Sequence, residues 1–575
     1  METTDFVFEL LKNSSAHVFL TGKAGTGKTT LLHEVKKTTS KNFIVVAPTS
    51  VAAINAGGVT MHSFFQLPFG PILPDAKEDL ASDQSLHKYS LEKLRMIRSL
   101  ELIIVDEISM VRADLLDYLD LTLRKINLTD EPFGGIQLLL IGDPLQLPPI
   151  KENWAMLSRY YQSPYFFESI ALKKAGFVTI ELKKVHRQTD QLFIELLNAV
   201  RKGKVTQEMF EMLNERHSGN LPITDQRYIS ITTHHKIVNE INLANLGALP
   251  GEIFTYNGTV LGDFPIDALP ADENLSLKVG ARVIMIKNDD SGKKAYYNGR
   301  AAQVTQLSAN GVVVSFLDDG TELNLAQQTW QNIKYNLDTQ TNKIAENNTG
   351  SFTQYPIKLA WAITVHKSQG LTFDNVILDV AGCFEPGQAY VALSRCRSLD
   401  GILLRNAIVP QNIKTDPNAV RFMDNIQLPE NLEAFLKQNN ISEQFQVVHH
   451  AFDFSAIAKR LNAVESSLAK FPVLVFKQEI IEAIRKHIIR PAGKFQNDEI
   501  LKLKTDLPLA ENEEFNARLL TAANYFERHI SRNSESLFNM ADDLPEMTGD
   551  AARLTDLLTE VLHLFMVKLE IFRAL

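Results

Sequence analysis

The segment "HVFLTGKAGTGKT" (17–29) constrains this chain more than any other. An apolar run breaks into a glycine-rich loop, and a helix-forming stretch follows at once. "GKAGTGKT" (22–29) matches the P-loop pattern, in which Gly22, Gly25 and Gly27 let backbone N–H groups turn inward around phosphate oxygens. Lys28 is placed to reach the β- and γ-phosphates, and the Thr29 hydroxyl to bind Mg²⁺. Thr26 and Thr30 fall in the same stretch and are assigned to the same nucleotide site. The helix that begins there adds the positive end of its dipole. By itself the loop defines a nucleoside-triphosphatase or a kinase and no more.

A strand followed by such a loop and a helix belongs to a parallel sheet covered on both faces, and the rest of the chain agrees. "FIVV" (43–46), "LIIV" (102–105) and "LLLIG" (138–142) are continuous apolar runs ending at polar turns, with helical stretches between most of them. A second set, "YISITT" (228–233), "VILDV" (376–380) and "GILLRN" (401–406), predicts a second sheet of the same type. Between its members, "GARVIMIKN", "GRAAQVTQL" and "GVVVSFLDDGTEL" are short strands separated by Gly, Asn and Asp turns, which predicts a small inserted antiparallel β-barrel. From about residue 430 the chain is Gly-poor, with apolar residues at helical spacing, as in "LTDLLTEVLHLFMVKLEIF" (554–572).

The expected fold class is therefore α/β: two parallel-sheet domains, a small inserted region, a barrel and a C-terminal helical domain. The expected boundaries are 1–180 for the first domain, with an insertion at about 62–98; 181–256 with 356–430 for the second; 257–355 for the barrel; and 431–575 for the helices. A length of 575 residues calls for several cores. No apolar run approaches the roughly 20 residues that span a bilayer. The acidic "METTDFVFELLK" lacks a signal-peptide pattern. Cys383 and Cys396 have no ligand-like spacing, which predicts reduced thiols, a cytoplasmic compartment and no zinc site. The net charge of −9 does not advertise a nucleic-acid partner, although a local basic groove is compatible with it.

Strand ends supply the remaining chemistry. In "LIIVDEIS" (102–109), Asp106 is placed to hold Mg²⁺ through water and Glu107 to polarise an attacking water as general base. In "IGDPLQLPP" (141–149), the Gln146 amide is placed to sense the γ-phosphate, and Pro148–Pro149 stiffen the exit. Arg187 in "VHRQTD" and Arg395 in "YVALSRCR" are candidates to stabilise charge on a transferring phosphoryl group from another domain. Taken singly, either arginine reads as an ordinary surface ion-pair residue.

In order, the P-loop, "APTSVAAINAGGVTMHSFF" (47–65), "DEIS", "GDPLQLPP", "RQ", "TVHKSQGLTF" (364–373) and "VALSR" resemble a superfamily 1 DNA helicase of the petite-integration-frequency (Pif) family, akin to RecD. The match covers about residues 15–410. The resemblance implies two RecA-like domains with ATP in the cleft between them, single-stranded DNA across both, and translocation 5′ to 3′ with unwinding of tailed duplex. It makes Arg187 and Arg395 the two trans-acting arginines, the region around 62–98 a strand-separating wedge, and the barrel the family's inserted Src-homology-type barrel. Two departures stand out. Residues 2–13 contain no glutamine where the family has one for adenine, and His186 replaces the usual Tyr or Phe before the arginine as the base-stacking ring.

Single-strand binding requires phosphate-binding groups and flat surfaces for bases. The candidates are Pro48, Thr49 and Ser50 at a helix start; His62, Ser63 and Phe64; Thr233, His234 and Lys236 at a strand end; and Thr364, His366, Lys367 and Ser368 in "TVHKSQGLTF". Gln369 and Gly370 sit where that family motif approaches the nucleotide, so the segment is expected to couple the two ligands. Such contacts to backbone and sugar imply little sequence specificity. The C-terminal helices read as a packing or partner-docking domain on a monomeric motor. Alternatives on the same residues are an RNA helicase or a protein-stripping translocase with the same motor, a nucleic-acid clamp with a decayed ATPase site, and a nuclease-complex subunit.

Overall fold

A computed structural model describes residues 3–574 except 69, 75–88, 152–153, 218–227, 267–268, 290–294, 310, 339–342, 366–367, 381, 384, 427–431, 471–477, 501–511 and 543–549. The chain divides into two compact units. One comprises Ala16–Leu123 and Ile136–Leu428; the other comprises Met1–Ser15, Arg124–Gly135 and Pro429–Leu575.

The larger unit begins with a six-stranded sheet of β1 (Val18–Gly22), β2 (Phe43–Ala47), β3 (Val59–Thr60), β4 (Leu102–Val105), β5 (Gln137–Ile141) and β6 (Val178–Leu182), in the order β3-β2-β4-β5-β1-β6. Every pairing is parallel. β1, β4 and β5 are buried along their whole length, as unbroken apolar runs covered on both faces require. β5 lies between β1 and β4, so the loops that follow these three strands emerge together at one edge. In open parallel sheets that edge is where ligands bind.

A second parallel sheet has the order Ala362–Thr364, Ile229–Thr232, Val376–Leu378, Ile402–Leu404. Three of its strands are those expected; Ala362–Thr364, three residues long, is too short to announce itself by pattern. Its core includes Phe193, Leu196, Val200, Ile231, Val376, Val391 and Leu404, and extends to Ala24 and Leu147 from the loops of the first sheet.

The inserted region is antiparallel, as its turns predict, but no closed barrel is formed among the described residues. Its strands make a five-stranded sheet, a two-stranded ribbon (Phe254–Asn257 with Asn274–Leu277), and a three-stranded sheet built on the long hairpin Gln328–Asp338 and Lys343–Gln354. The five-stranded sheet keeps two free edges, Glu322–Leu325 and Ile357–Leu359. Closure is unnecessary for burial because the ribbon supplies Tyr256, Leu275 and Leu277 to the same core as Val283, Val304, Val314 and Phe316.

The smaller unit is helical. Its long helices are Leu432–Ala451, Ser455–Leu468, Glu513–Asp542 and Asp550–Ala574. Phe452 sits at the centre, with ring centroids of Phe495, Phe572 and Phe526 at 4.5, 5.1 and 5.5 Å. Helical turns continue from Gln478 to Ile500 through two π-helical turns, Arg485–Ile489 and Gln496–Ile500. Pro491 lies between them and cannot donate to the preceding turn, which accounts for the local widening. Among the described residues, no helix is long and apolar enough to cross a membrane. Cys383 and Cys396 are free and buried.

Candidate functional site

The loop after β1 turns at Gly25 (φ 76°) and Gly27 (φ 90°) into the helix Lys28–Thr38. Gly25 is required by proximity as well as conformation, because a Cβ there would lie 2.5 Å from Cβ of Arg187. Lys28 folds back over the loop, donating from Nζ to the carbonyls of Gly22 at 2.5 Å and Lys23 at 3.0 Å. Thr26 is buried, its hydroxyl donating to the Lys23 carbonyl at 2.9 Å, whereas Thr29 and Thr30 are exposed.

At the end of β4, Asp106 is buried and Glu107 adopts a left-handed backbone, φ 52° and ψ 44°. A non-glycine residue there costs of order 1–3 kcal/mol and is held by its surroundings. After β5 comes Gln146, whose N–H donates to the Asp143 carbonyl at 2.9 Å. Gly387 caps the helix Gln388–Leu393 directly against this turn: a Cβ on Gly387 would lie 2.0 Å from the Gln146 carbonyl oxygen.

Both arginines reach this edge from the other side. The Arg187 Nη1 donates to the Ser394 carbonyl at 3.1 Å. Gln188 donates from Nε2 to the carbonyls of Ser394 at 3.1 Å and Cys396 at 2.9 Å, and so ties the two arginine-bearing segments together. Arg395 is buried; its Nε donates to the Val391 carbonyl at 3.0 Å and its Nη1 points to the Ser368 carbonyl at 3.5 Å. Gln369 lies near the Glu107 carboxylate, and its buried Nε2 has no hydrogen-bond partner among the described residues. His186 is exposed and donates its backbone N–H to the Gly25 carbonyl at 2.8 Å.

The electrostatics of this edge are out of balance in both signs. Burial lowers the Lys28 pKa, opposed chiefly by Asp143 and Glu107. Burial pushes Arg187 down to about 10, with Arg397 adding to the effect. Burial and then the neighbouring Arg187 push Arg395 down to about 9. On the acidic side, burial raises both Asp106 and Glu107, and Glu107 raises Asp106 further. Three cations and two carboxylates are thus each disfavoured in their charged forms. A polyanion accompanied by a divalent cation relieves both sets at once, so the donor set fits a nucleoside triphosphate with Mg²⁺.

The nucleic-acid candidates divide. Ser50, His62 and Ser63 reach solvent in part, and His234 and Lys236 are exposed. Thr49 caps the helix Ser50–Ala56, its hydroxyl accepting from the Ala52 N–H at 3.2 Å, and Pro48 precedes it, half-buried. Thr233 is buried, its hydroxyl 2.7 Å from His234 Nδ1 and 3.2 Å from the Gly382 carbonyl. Three further side chains expected to meet DNA also point inward. Phe64 is 4% exposed, covered by Lys93 Nζ at 3.2 Å from its ring centroid and by Phe65 and Tyr335 at 4.8 and 5.9 Å. Thr364 is buried in its strand, and the buried Ser368 hydroxyl donates to the Val365 carbonyl at 2.7 Å. Their alternation with exposed neighbours is invisible in a run of polar letters. His366 and Lys367 lie outside the described residues, as do 69 and 75–88 of the expected wedge.

Sequence reasoning passed over Asp143, Arg201 and Tyr390. Asp143 and Tyr390 stand in segments already singled out; nothing local marks Arg201, an arginine near the end of an amphipathic helix.

The fold and site define a tandem RecA-like α/β protein with a P-loop at the carboxyl edge of its first sheet. Residues 4–211 match the family described as PIF1-like helicase, and residues 435–575 match DNA helicase, middle domain. The chain is similar to the Pif1 of a Bacteroides species in complex with ADP-AlF4, at 42% identity over 74% of this chain and 96% of that one, with a TM-score of 0.68. The same Bacteroides protein bound to ssDNA aligns at 43% identity over the same shares, with a TM-score of 0.51. The ATP-dependent DNA helicase PIF1 of Xenopus laevis is 32% identical over 441 residues, 75% of this chain; the chain spans 64% of the frog protein's length. The chain belongs to the PIF1-like helicase family.

Proposed function

We propose that this chain is an ATP-dependent DNA helicase that translocates 5′ to 3′ on single-stranded DNA and unwinds tailed duplex. One observation carries the reading: Arg395 and Gln369, from the side of the second sheet, approach Glu107 beside Lys28 of the first, while Arg187 abuts Gly25 of the phosphate loop and is tied to the Arg395 segment. Catalytic groups supplied by two sheets act together only at one relative placement, and that dependence is what converts hydrolysis into movement. The DNA-bound state of the Bacteroides Pif1 and the family of the chain support DNA as the track, and the 5′ to 3′ direction is consistent with that family.

The roles follow from the groups present. Lys28, Arg187 and Arg395 bind and neutralise phosphate oxygens, and the guanidiniums act where charge accumulates in the transition state. Glu107 takes a proton from the attacking water at a carboxylate oxygen; burial, by raising its pKa, makes it a stronger base than an exposed glutamate. Thr29 and Asp106 would hold Mg²⁺, which supplies charge neutralisation at the phosphates. Gly22, Gly25, Thr26, Gly27 and Thr30 shape the phosphate cradle, His186 offers a ring to the base, and Gln146, Gln369 and Gly370 report nucleotide state. Of the DNA candidates, Ser50, His62, Ser63, His234 and Lys236 present side chains that a strand can meet.

We read residues 1–180, and 181–256 with 356–430, as two motor domains carrying the region 257–355 as an insertion. The chain is read as a monomeric cytoplasmic motor whose 431–575 segment is available to a protein partner. ATP hydrolysis measured with matched DNA and RNA oligonucleotides tests the reading. Stimulation by single-stranded DNA that vanishes in Lys28→Ala supports it. Stimulation by RNA alone makes it an RNA motor, and no stimulation by either refutes it.

A further inference from the structure

A buried ion pair stands beside the nucleotide site, and the chemistry above does not use it. Arg201, near the end of the helix Gln191–Lys202, donates from Nε to Asp143 Oδ2 at 3.0 Å and from Nη2 to Oδ1 at 2.7 Å. The two side chains are 3% and 0% exposed. Asp143 lies just beyond β5, and its Oδ1 also accepts from the Leu145 N–H at 3.1 Å. The Gln146 amide stands 3.4 Å from Oδ2.

This carboxylate is paired face to face with the Arg201 guanidinium. Burial acts to raise Asp143 itself, but the Arg201 charge and hydrogen bonds, with Lys28, hold its pKa below the ordinary value. A two-point guanidinium contact fixes the plane of a carboxylate as well as its charge. The Arg201 helix is seated in the core of the second sheet through Phe193, Leu196, Leu197 and Val200, so Arg201 moves with that sheet.

We infer that Arg201 is a positioning residue: through Asp143 it holds the Gln146 turn in register with the second sheet. The inference deepens the proposed ATPase and rests on that reading. Stability alone is a poor reason for such a pair, because desolvation of two buried charges offsets most of their attraction.

The test uses the full chain with R201M, the double variant D143N/R201M, and R201K. R201M strands a buried carboxylate and lowers Tm; the double variant removes the stranded charge and recovers much of it. A positioning role predicts that kcat for DNA-stimulated hydrolysis nonetheless stays about 30-fold down in the double variant, with KM within about threefold of parent. R201K keeps the charge but loses the two-point contact; it is expected near the parental Tm with kcat about tenfold down. Parental kcat in either the double variant or R201K overturns the inference and leaves a structural pair. A parent chain without DNA-stimulated hydrolysis overturns instead the ATPase reading on which the inference rests.

Discussion

The hydroxyl of Tyr390 accepts the backbone N–H of Ala24, in the phosphate loop, at 2.9 Å and across 366 residues of sequence. Tyr390 is buried on the helix Gln388–Leu393 that leads to Arg395, and burial pushes its phenol up to about 12. The Gly25 carbonyl, next in the loop, accepts from His186. The phosphate loop is therefore held by the segments that bring the arginines. Tyr390→Phe removes the acceptor and leaves the Ala24 N–H buried, at a cost of about 1–3 kcal/mol. The expected outcome is a lower Tm and a several-fold higher KM for ATP, read by thermal melting and steady-state hydrolysis.

Gly387 gives the sharpest steric test of how the two sheets fit. A methyl group there meets the Gln146 carbonyl oxygen at 2.0 Å, and the residue has φ 78°. Gly387→Ala must push the helix from the Gln146 turn. DNA-stimulated hydrolysis is expected to fall about tenfold or more, because catalytic groups displaced by even an ångström lose much of their effect. Nucleotide affinity measured by fluorescence titration is expected to change far less.

Phe64 now reads as a core residue. With its ring closed in by Phe65, Tyr335 and Lys93, Phe64→Ala should cost about 3–5 kcal/mol of stability. A melting curve checks this. An unchanged melt with a selective loss of DNA affinity would return Phe64 to the DNA surface.

What the sequence made legible, and what it hid, divides along contact distance. Lys28, Asp106, Glu107 and Gln146 were readable because each lies at a fixed short offset from a strand end, and parallel strand order carries those ends to one edge. The second sheet was readable from three apolar runs. Arg201 and Asp143 were not, because their pairing joins positions 58 apart that no local spacing links. The burial of Phe64 was hidden for a similar reason: one ring that covers it, Tyr335, comes from the far hairpin Gln328–Asp338. Alternating strands and turns marked the 280–323 region as antiparallel, but closure depends on which edges pair, and a separate ribbon covers the apolar face instead.

His17 supplies a pH-dependent element of stability away from the chemistry. Its Nδ1 accepts the Leu138 N–H at 3.1 Å, and burial lowers its pKa from 6.5 to about 4. The unfolded chain therefore binds the proton more readily than the folded one between these values. Stability is full above pH 6.5, falls as pH drops toward 4, and levels below. The loss attributable to His17 is about 3 kcal/mol. In His17→Asn, whose amide oxygen can accept the same N–H, urea denaturation at pH 7 and 4.5 should show a smaller difference than in the parent.

The central claim is a motor with a direction, and partial duplexes test it most directly. Duplexes bearing a single-stranded tail at either the 5′ or the 3′ end are mixed with the chain, ATP and Mg²⁺, and strand separation is followed by fluorescence. Unwinding is expected with the 5′ tail, and it should fall by about 10²-fold or more in Glu107→Gln, as removal of a general base does. Unwinding only with the 3′ tail, or at the parental rate in Glu107→Gln, would contradict the account.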